Sequence, residues 1–177
     1  YSPNSIQYAL IQHPQIYVKL IFSEQLCDEK VTDLKFSFAN CTSLVGTNIL
    51  NFVTSTIGTF HGCSNLLEAP VIPESVKYLN GMFEGCSSLA HGAKIHDFTD
   101  GDIDSLYKGC LSLVDVPNIP NNITSMKKAF EGCTNLTTIS NFNIPFSKFS
   151  LFDNSQIENA FKDCGKLTTI EIPVKKV

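Results

Sequence analysis

Seven cysteines and four histidines are the residues of this chain best suited to redox, nucleophilic or metal chemistry. Their spacing argues against all three. Six cysteines (Cys41, Cys63, Cys86, Cys110, Cys133 and Cys164) stand 22 to 31 residues apart, and Cys27 lies outside the series. A zinc site needs two close cysteine pairs or a Cys/His cluster, and neither occurs. There is no Cys-x-x-Cys, the usual dithiol redox spacing. A small disulfide scaffold would space its cysteines in irregular pairs. One thiol per fixed interval instead predicts a row of buried thiols, each a small hydrophobe with a weak donor.

The other chemical candidates are weaker. His13, His61, His91 and His96 share no ligand or acid–base spacing. The run Asp97-Phe-Thr-Asp100-Gly-Asp102-Ile-Asp104 resembles a calcium loop in outline but lacks the distal bidentate glutamate. An acidic turn is the favoured reading, with a weak calcium site as the alternative. No nucleophile–base pair, carboxylate pair or phosphate-cradling glycine loop is present. The sequence thus predicts no enzymatic activity, no cofactor and no metal site.

The elements that place the cysteines recur with them. Each follows an aromatic by three residues and precedes a leucine by three: Phe38…Cys41…Leu44, Phe60…Cys63…Leu66, Phe83…Cys86…Leu89, Tyr107…Cys110…Leu113, Phe130…Cys133…Leu136 and Phe161…Cys164…Leu167. The aromatics are spaced by 22, 23, 24, 23 and 31 residues. Such a period marks a solenoid, in which each copy is one coil that buries its apolar side only by stacking on its neighbours. Further rows fall seven before the aromatic (Val31, Val53, Val76, Ile123, with Asp100 and Asn154 as polar exceptions), four before it (Leu34, Thr56, Leu79, Ile103, Met126, Ile157) and nine after it (Thr47, Ala69, Gly92, Val116, Ile139, Ile170). The stretch after the leucine alternates like a strand, most clearly in Leu167-Thr-Thr-Ile170-Glu-Ile172. Phe-x-Gly-Cys reads as a short helical turn closed by glycine. The Val-x-x-Leu piece reads as the opposite side of the coil.

Composition excludes several partners. The net charge is −4, and all 13 basic residues are lysine. Without arginine or a basic stripe, the chain is not expected to bind nucleic acid. Ile16-Tyr-Val-Lys-Leu-Ile-Phe22, the main apolar stretch near the start, is short and broken by Lys19, so no membrane insertion is expected. The absence of an initial methionine and of a signal peptide reads as a piece of a longer protein. Asn40, Asn122 and Asn135 stand in N-glycosylation sequons, a number that a chain this rich in Asn, Ser and Thr reaches by chance.

The segment Leu113-x-x-Val-Pro-x-Ile-Pro-x-x-Ile-x-x-Met-x-x-x-Phe-x-Gly-Cys-x-x-Leu136 resembles the BspA-type leucine-rich repeat, and six copies carry it across about residues 31–173. The resemblance implies an α/β repeat solenoid: a right-handed coil stack with a concave parallel β-sheet and short helical or irregular convex segments. It also implies an extracellular, cell-surface setting and a role in adhesion. The copies departing from the pattern, around His91-Gly-Ala-Lys-Ile-His-Asp-Phe98 and in the last interval, are expected to bulge or shift register. The expected organisation is an N-terminal flank or cap over 1–30, then the solenoid over 31–177, with a longer repeat at 137–160. Residues 16–22 supply an edge strand covering the first coil, or are the remains of a preceding domain.

The expected function is a non-enzymatic, adhesin-like binding module; the alternative is a structural spacer or stalk. The partner would be an extracellular protein or glycan. On the concave strand the outward candidates are Glu68, His91, Asp115, Thr138, Ser140, Thr169 and Glu171. Against them stands a plain solvated sheet surface. A second candidate is the phenylalanine-rich insertion with Phe142, Phe146, Phe149 and Phe152. Burial in an enlarged coil is its favoured reading, and an exposed partner patch the alternative.

Overall fold

The aromatic anchors meet ring on ring. In the computed structural model, which describes residues 3–13, 17–22, 31–97, 101–142 and 155–171, Phe38, Phe60, Phe83, Tyr107, Phe130 and Phe161 form one continuous stack. Successive centroids lie 6.1, 5.9, 5.4, 5.7 and 5.6 Å apart, with interplanar angles of 17° or less. Offset stacks of this kind add about 0.5–1.5 kcal/mol per pair beyond burial itself. The leucine row runs beside them: Leu44, Leu66, Leu89, Leu113 and Leu136 have no exposed surface. The chain is therefore a repeat solenoid of six stacked coils.

Hydrogen bonding within a coil follows a two-residue alternation. Residues four and two before the aromatic, the aromatic itself and the residue two after it donate their N–H to the next coil. In the second coil these bonds are Thr56 to Tyr78 O (2.9 Å), Gly58 to Asn80 O (2.9 Å), Phe60 to Met82 O (2.9 Å) and Gly62 to Glu84 O (2.7 Å). The intervening residues bond backwards within their own coil, as Thr59 to Thr56 O (3.2 Å), His61 to Gly58 O (3.0 Å) and Cys63 to Phe60 O (3.0 Å). This satisfies nearly every main-chain donor along the stretch.

The Phe-x-Gly-Cys piece consequently differs from the expected helical turn. Two residues per coil, two before and two after the aromatic, adopt positive φ, which interrupts any helical run. The second is glycine in four coils, with φ from 71° to 77°, and is Asn40 or Asp163 in the outer two. Glycine also suits this position because consecutive coils approach closely there: a Cβ on Gly85 would sit 3.5 Å from the Gly62 backbone.

Coils are further joined along short parallel ladders. After the leucine, β1 (Val18–Lys19) pairs with β2 (Leu44–Gly46), and β4 (Asp115–Val116), β6 (Thr138–Ile139) and β7 (Thr169–Ile170) form a three-stranded sheet, to which His91 adds a bridge at Asp115. Before the aromatic, Asp33, Ser55 and Tyr78 bridge in turn, and β3 (Gly101–Asp102) pairs with β5 (Ile123–Ser125). The Val-x-x-Leu piece thus runs in a ladder of its own. The single sheet expected from the sequence is instead several short parallel ones.

Among the described residues the last interval keeps register, whereas the odd third interval bulges as expected: β3 pairs Gly101 with Ile123 but Asp102 with Ser125, a shift of one residue. Tyr107 replaces the usual phenylalanine, and its hydroxyl accepts from Ala93 N at 2.8 Å inside the core. The odd His91-Gly-Ala segment makes this fit, because a Cβ on Gly92 would lie 3.2 Å from that hydroxyl. Across the long last interval Thr138 still pairs with Thr169, and Phe130 N bonds Ala160 O at 2.9 Å. The two polar breaks of the valine row, Asp100 and Asn154, fall outside the described residues.

At the N-terminal end, α1 (Pro3–Gln12) lies against the first coil. Gln7 Nε2 donates to Ala39 O (2.9 Å), and Ser43 Oγ, fully buried, lies 2.9 and 2.8 Å from the carbonyls of Leu10 and His13. Phe22 packs on Phe38 with centroids 5.8 Å apart, and Asn48 holds both the N–H and the C=O of Phe22 at 2.7 and 2.9 Å.

Candidate functional site

The cysteines form the second ladder of the core. Five thiols donate to the carbonyl of the aromatic one coil earlier: Cys63 to Phe38 O, Cys110 to Phe83 O, Cys133 to Tyr107 O and Cys164 to Phe130 O at 3.0 Å, and Cys86 to Phe60 O at 3.2 Å; Cys41, in the first coil, lies 3.8 Å from Gln7 O of α1. All six repeat cysteines are unpaired thiols, and Cys27 lies outside the described residues. Burial pushes Cys63 and Cys133 up to about 12, Cys41 to about 11, and Cys86 and Cys110 well above the usual thiol range. A nucleophilic or metal-binding thiol needs the opposite shift. The cysteine row is therefore structural.

The aspartate run is spent on contacts between coils. Asp97 accepts from the N–H and Nδ2 of Asn121 (3.1 and 3.2 Å), Asp104 from Lys127 N (2.7 Å) and Ser125 Oγ, and Asp102 from Asn80 Nδ2. Burial, then the neighbouring Asp104, raises the Asp102 carboxyl. Among the described residues no three His, Cys, Asp or Glu side chains converge as a metal site; Asp100 lies outside them.

The ladder after the leucine brings four of the sequence candidates into one row. His91, Asp115, Thr138 and Thr169 are Cα partners in parallel register, each on the next coil. Neighbouring members of such a row stand about 4.8 Å apart. His91 Nδ1 lies 2.7 Å from Asp115 Oδ2. Ser140 and Glu171 follow two residues after Thr138 and Thr169, and their N–H groups bond Val116 O and Ile139 O at 2.8 Å. Glu68 is apart from this row and pairs with Lys19 at 3.1 Å. Pro70 and Ala93, at the position of Ser140, are buried rather than outward. Phe142 is also buried, at 6% exposure, with its N–H on Glu171 O at 2.7 Å. Phe146, Phe149 and Phe152 lie outside the described residues.

Reading the repeat at the anchors alone misses a second row. From the second coil on, the residue after the aromatic alternates between a basic and an acidic type: His61, Glu84, Lys108, Glu131, Lys162. Glu84 lies 3.7 Å from His61 and 2.8 Å from Lys108, and Glu131 lies 3.0 Å from Lys162. A side-chain hydrogen bond to Glu84 raises the Lys108 ammonium, and one from Lys162 lowers the Glu131 carboxyl below its ordinary value near 4.5. A lowered acid stabilises the fold above its unfolded value, and that contribution fades as pH falls through the folded one. Between pH 6 and pH 3, the melting temperature of Glu131→Gln is thus expected to fall less steeply than that of the wild type. Equal slopes would show that the pair adds nothing.

Comparison with known proteins agrees with this geometry. The profile of the BspA type leucine rich repeat region matches in six copies, over residues 29–137 and 103–177. The chain belongs to the BspA-type leucine-rich repeat family. No curated protein sequence matches it. Among solved structures, this BspA-type chain is similar to the T. pallidum leucine-rich repeat protein TpLRR, with a TM-score of 0.69 and 20% identity over 91% of this chain and 72% of that one. It is also similar to a leucine-rich cell surface protein of Faecalibacterium prausnitzii, with a TM-score of 0.56 and 20% identity over 92% of this chain. It spans 34% of that protein's length. At these identities the likeness is one of fold.

Proposed function

We propose that this BspA-type chain is a non-enzymatic interaction module of a cell-surface protein and binds an extracellular protein or glycan through the ladder after the leucine, on a concave face of the solenoid. The supporting observation is the registered row His91–Asp115–Thr138–Thr169: four coils each offer one polar side chain at a fixed step on a rigid stack. Repeat proteins use such periodic rows as extended binding faces. The fold of the Faecalibacterium prausnitzii surface protein supports the surface setting. In this reading residues 1–30 cap the first coil, which Leu10 and Phe22 support by packing on its core. Among the described residues no helix is long and apolar enough to cross a membrane.

The test is binding of the purified chain to immobilised matrix and plasma proteins and to a glycan panel. A folded control carries Glu68→Lys, Asp115→Lys, Thr138→Lys and Glu171→Lys. Saturable binding that weakens about tenfold or more in the control is expected, a loss of roughly 1.4 kcal/mol. No binding by the folded wild type would favour the spacer.

A further inference from the structure

The ladder after the leucine is interrupted at the second coil, whose Leu67–Val71 segment makes no strand or bridge pairing with either neighbouring coil among the described residues. In four coils the residue that follows the leucine bonds its counterpart in the coil before: Leu67 N to Val45 O (3.0 Å), Val114 N to Ala90 O (2.8 Å), Thr137 N to Val114 O (2.9 Å) and Thr168 N to Thr137 O (3.1 Å). The equivalent bond from Ala90 N to Leu67 O is missing. Among the described residues, no main-chain group pairs with the carbonyls from Leu67 to Val71 or the amides of Glu68, Ala69 and Val71. On the aromatic side the same two coils stay joined, through Phe60 N to Met82 O (2.9 Å) and Ser88 N to Ser64 O (3.1 Å). The coils therefore part only on the strand face.

A cleft of about 410 Å3 opens at this point, lined by Leu67, Ala69, Pro70, Val71, Gly92 and Ala93 among others. Its mouth is apolar and bare: Leu67 is 58% and Val71 86% exposed. Glu68 on one lip is already paired with Lys19, and His91 on the other with Asp115. Lys94, also on the wall, is exposed and has no ion-pair partner among the described residues.

We propose that this gap is a docking groove for an extended peptide, which pairs its main chain with the Leu67–Val71 edge, buries an aliphatic side chain in the cleft and sets an acidic side chain against Lys94. Three features select this occupant. A row of unpaired main-chain groups matches an added strand, which a compact small molecule does not. The apolar lining takes an alkyl group and excludes a charged one. The one uncompensated charge is positive. The inference rests on the reading of the chain as an interaction module and adds a partner class and a subsite to it.

The experiment is selection of phage-displayed random linear dodecapeptides on the chain, with Val71→Asp/Lys94→Glu protein as soluble competitor. Both positions are exposed, so the variant is expected to melt with the wild type; the two single variants serve if it does not. Enriched peptides are expected to place an acidic residue beside an aliphatic one and to bind the double variant about tenfold or more weakly. They are also expected to shift the amide resonances of Glu68, Ala69, Ala90 and Lys94. No enrichment, equal binding to the variant, or shifts confined to other coils would overturn the groove. If that happens while the four-lysine control still loses matrix binding, the interaction reading stands and the groove alone falls. If matrix binding is absent too, both fall.

Discussion

Phe130→Ala is expected to destabilise the chain by about 3–5 kcal/mol, a cost typical of emptying a buried phenylalanine site. The ring has no exposed surface and stacks between Tyr107 and Phe161 at 5.7 and 5.6 Å. Its removal deletes two ring contacts as well as buried area. The coil around it cannot collapse into the space, because its backbone is held on both sides: Tyr107 N bonds Ala129 O at 2.8 Å, and Phe130 N bonds Ala160 O at 2.9 Å. Leu113→Ala, next to the same ring stack, is expected to cost about 2–5 kcal/mol by the same cavity argument. Urea denaturation followed by circular dichroism measures both. Midpoints unchanged from the wild type would show that these side chains are not the interior of a coil stack.

Alkali is expected to unfold the protein between about pH 9 and pH 11, below the range that lysine loss alone requires. The thiols of Cys63, Cys86, Cys110 and Cys133 have their folded values raised above the ordinary 9.0 by burial. Unfolded thiols lose their protons above that value while folded ones keep them. The stabilisation is complete below pH 9 and disappears as pH climbs towards the folded values, near 12 for Cys63 and Cys133. Each buried thiol then removes about 1.4 kcal/mol per pH unit. With Cys41, raised to about 11, the five together remove about 7 kcal/mol per unit, comparable with the whole stability of an ordinary domain. Urea midpoints across pH 8–10.5 measure the slope, and Cys110→Ala is expected to flatten it by about a fifth. A flat profile would mean that the thiols are exposed or already ionised.

The parts of the fold legible in sequence are those in which one chemistry recurs at one offset. The aromatic, cysteine and leucine rows are nearly invariant, so their burial follows from period alone. The left-handed residue two before each aromatic was not legible, because Phe36, Gly58, Gly81, Ser105, Lys128 and Asn159 share no side-chain chemistry. There the hydrogen-bond alternation between coils dictates the backbone, and the side chain accommodates it. The charge row His61, Glu84, Lys108, Glu131, Lys162 is present in the sequence but appears only when the residues just after the anchors are aligned down the stack. The odd segment at His91 departs from the repeat pattern, and Tyr107 gives part of the reason: Gly92 and Ala93 make room for its hydroxyl, while the interval still shifts register at Gly101–Asp102.

The candidate site was legible in position but not in continuity. Alternation after the leucine placed His91, Asp115, Thr138 and Thr169 on one row, and the ladder pairs them. The same alternation gave no sign that Glu68 stands across a gap from His91. Two prolines, Pro70 and Pro73, were the available signal, since each removes a ladder donor from the second coil. Proline alone is insufficient, because the fourth coil carries Pro117 and stays paired on both sides.

Residue-resolved amide hydrogen exchange tests the stacked-coil account most directly. The amides of Gly62, Gly85, Gly109 and Gly132 each bond a carbonyl of the following coil at 2.7–2.8 Å. They are expected to be among the slowest to exchange, together with Val114 and Thr137 on the strand ladder. Ala90, facing the gap, is expected to exchange about as fast as an open loop. Fast exchange at the four glycines would contradict the stack, and a protected Ala90 would close the gap on which the groove depends.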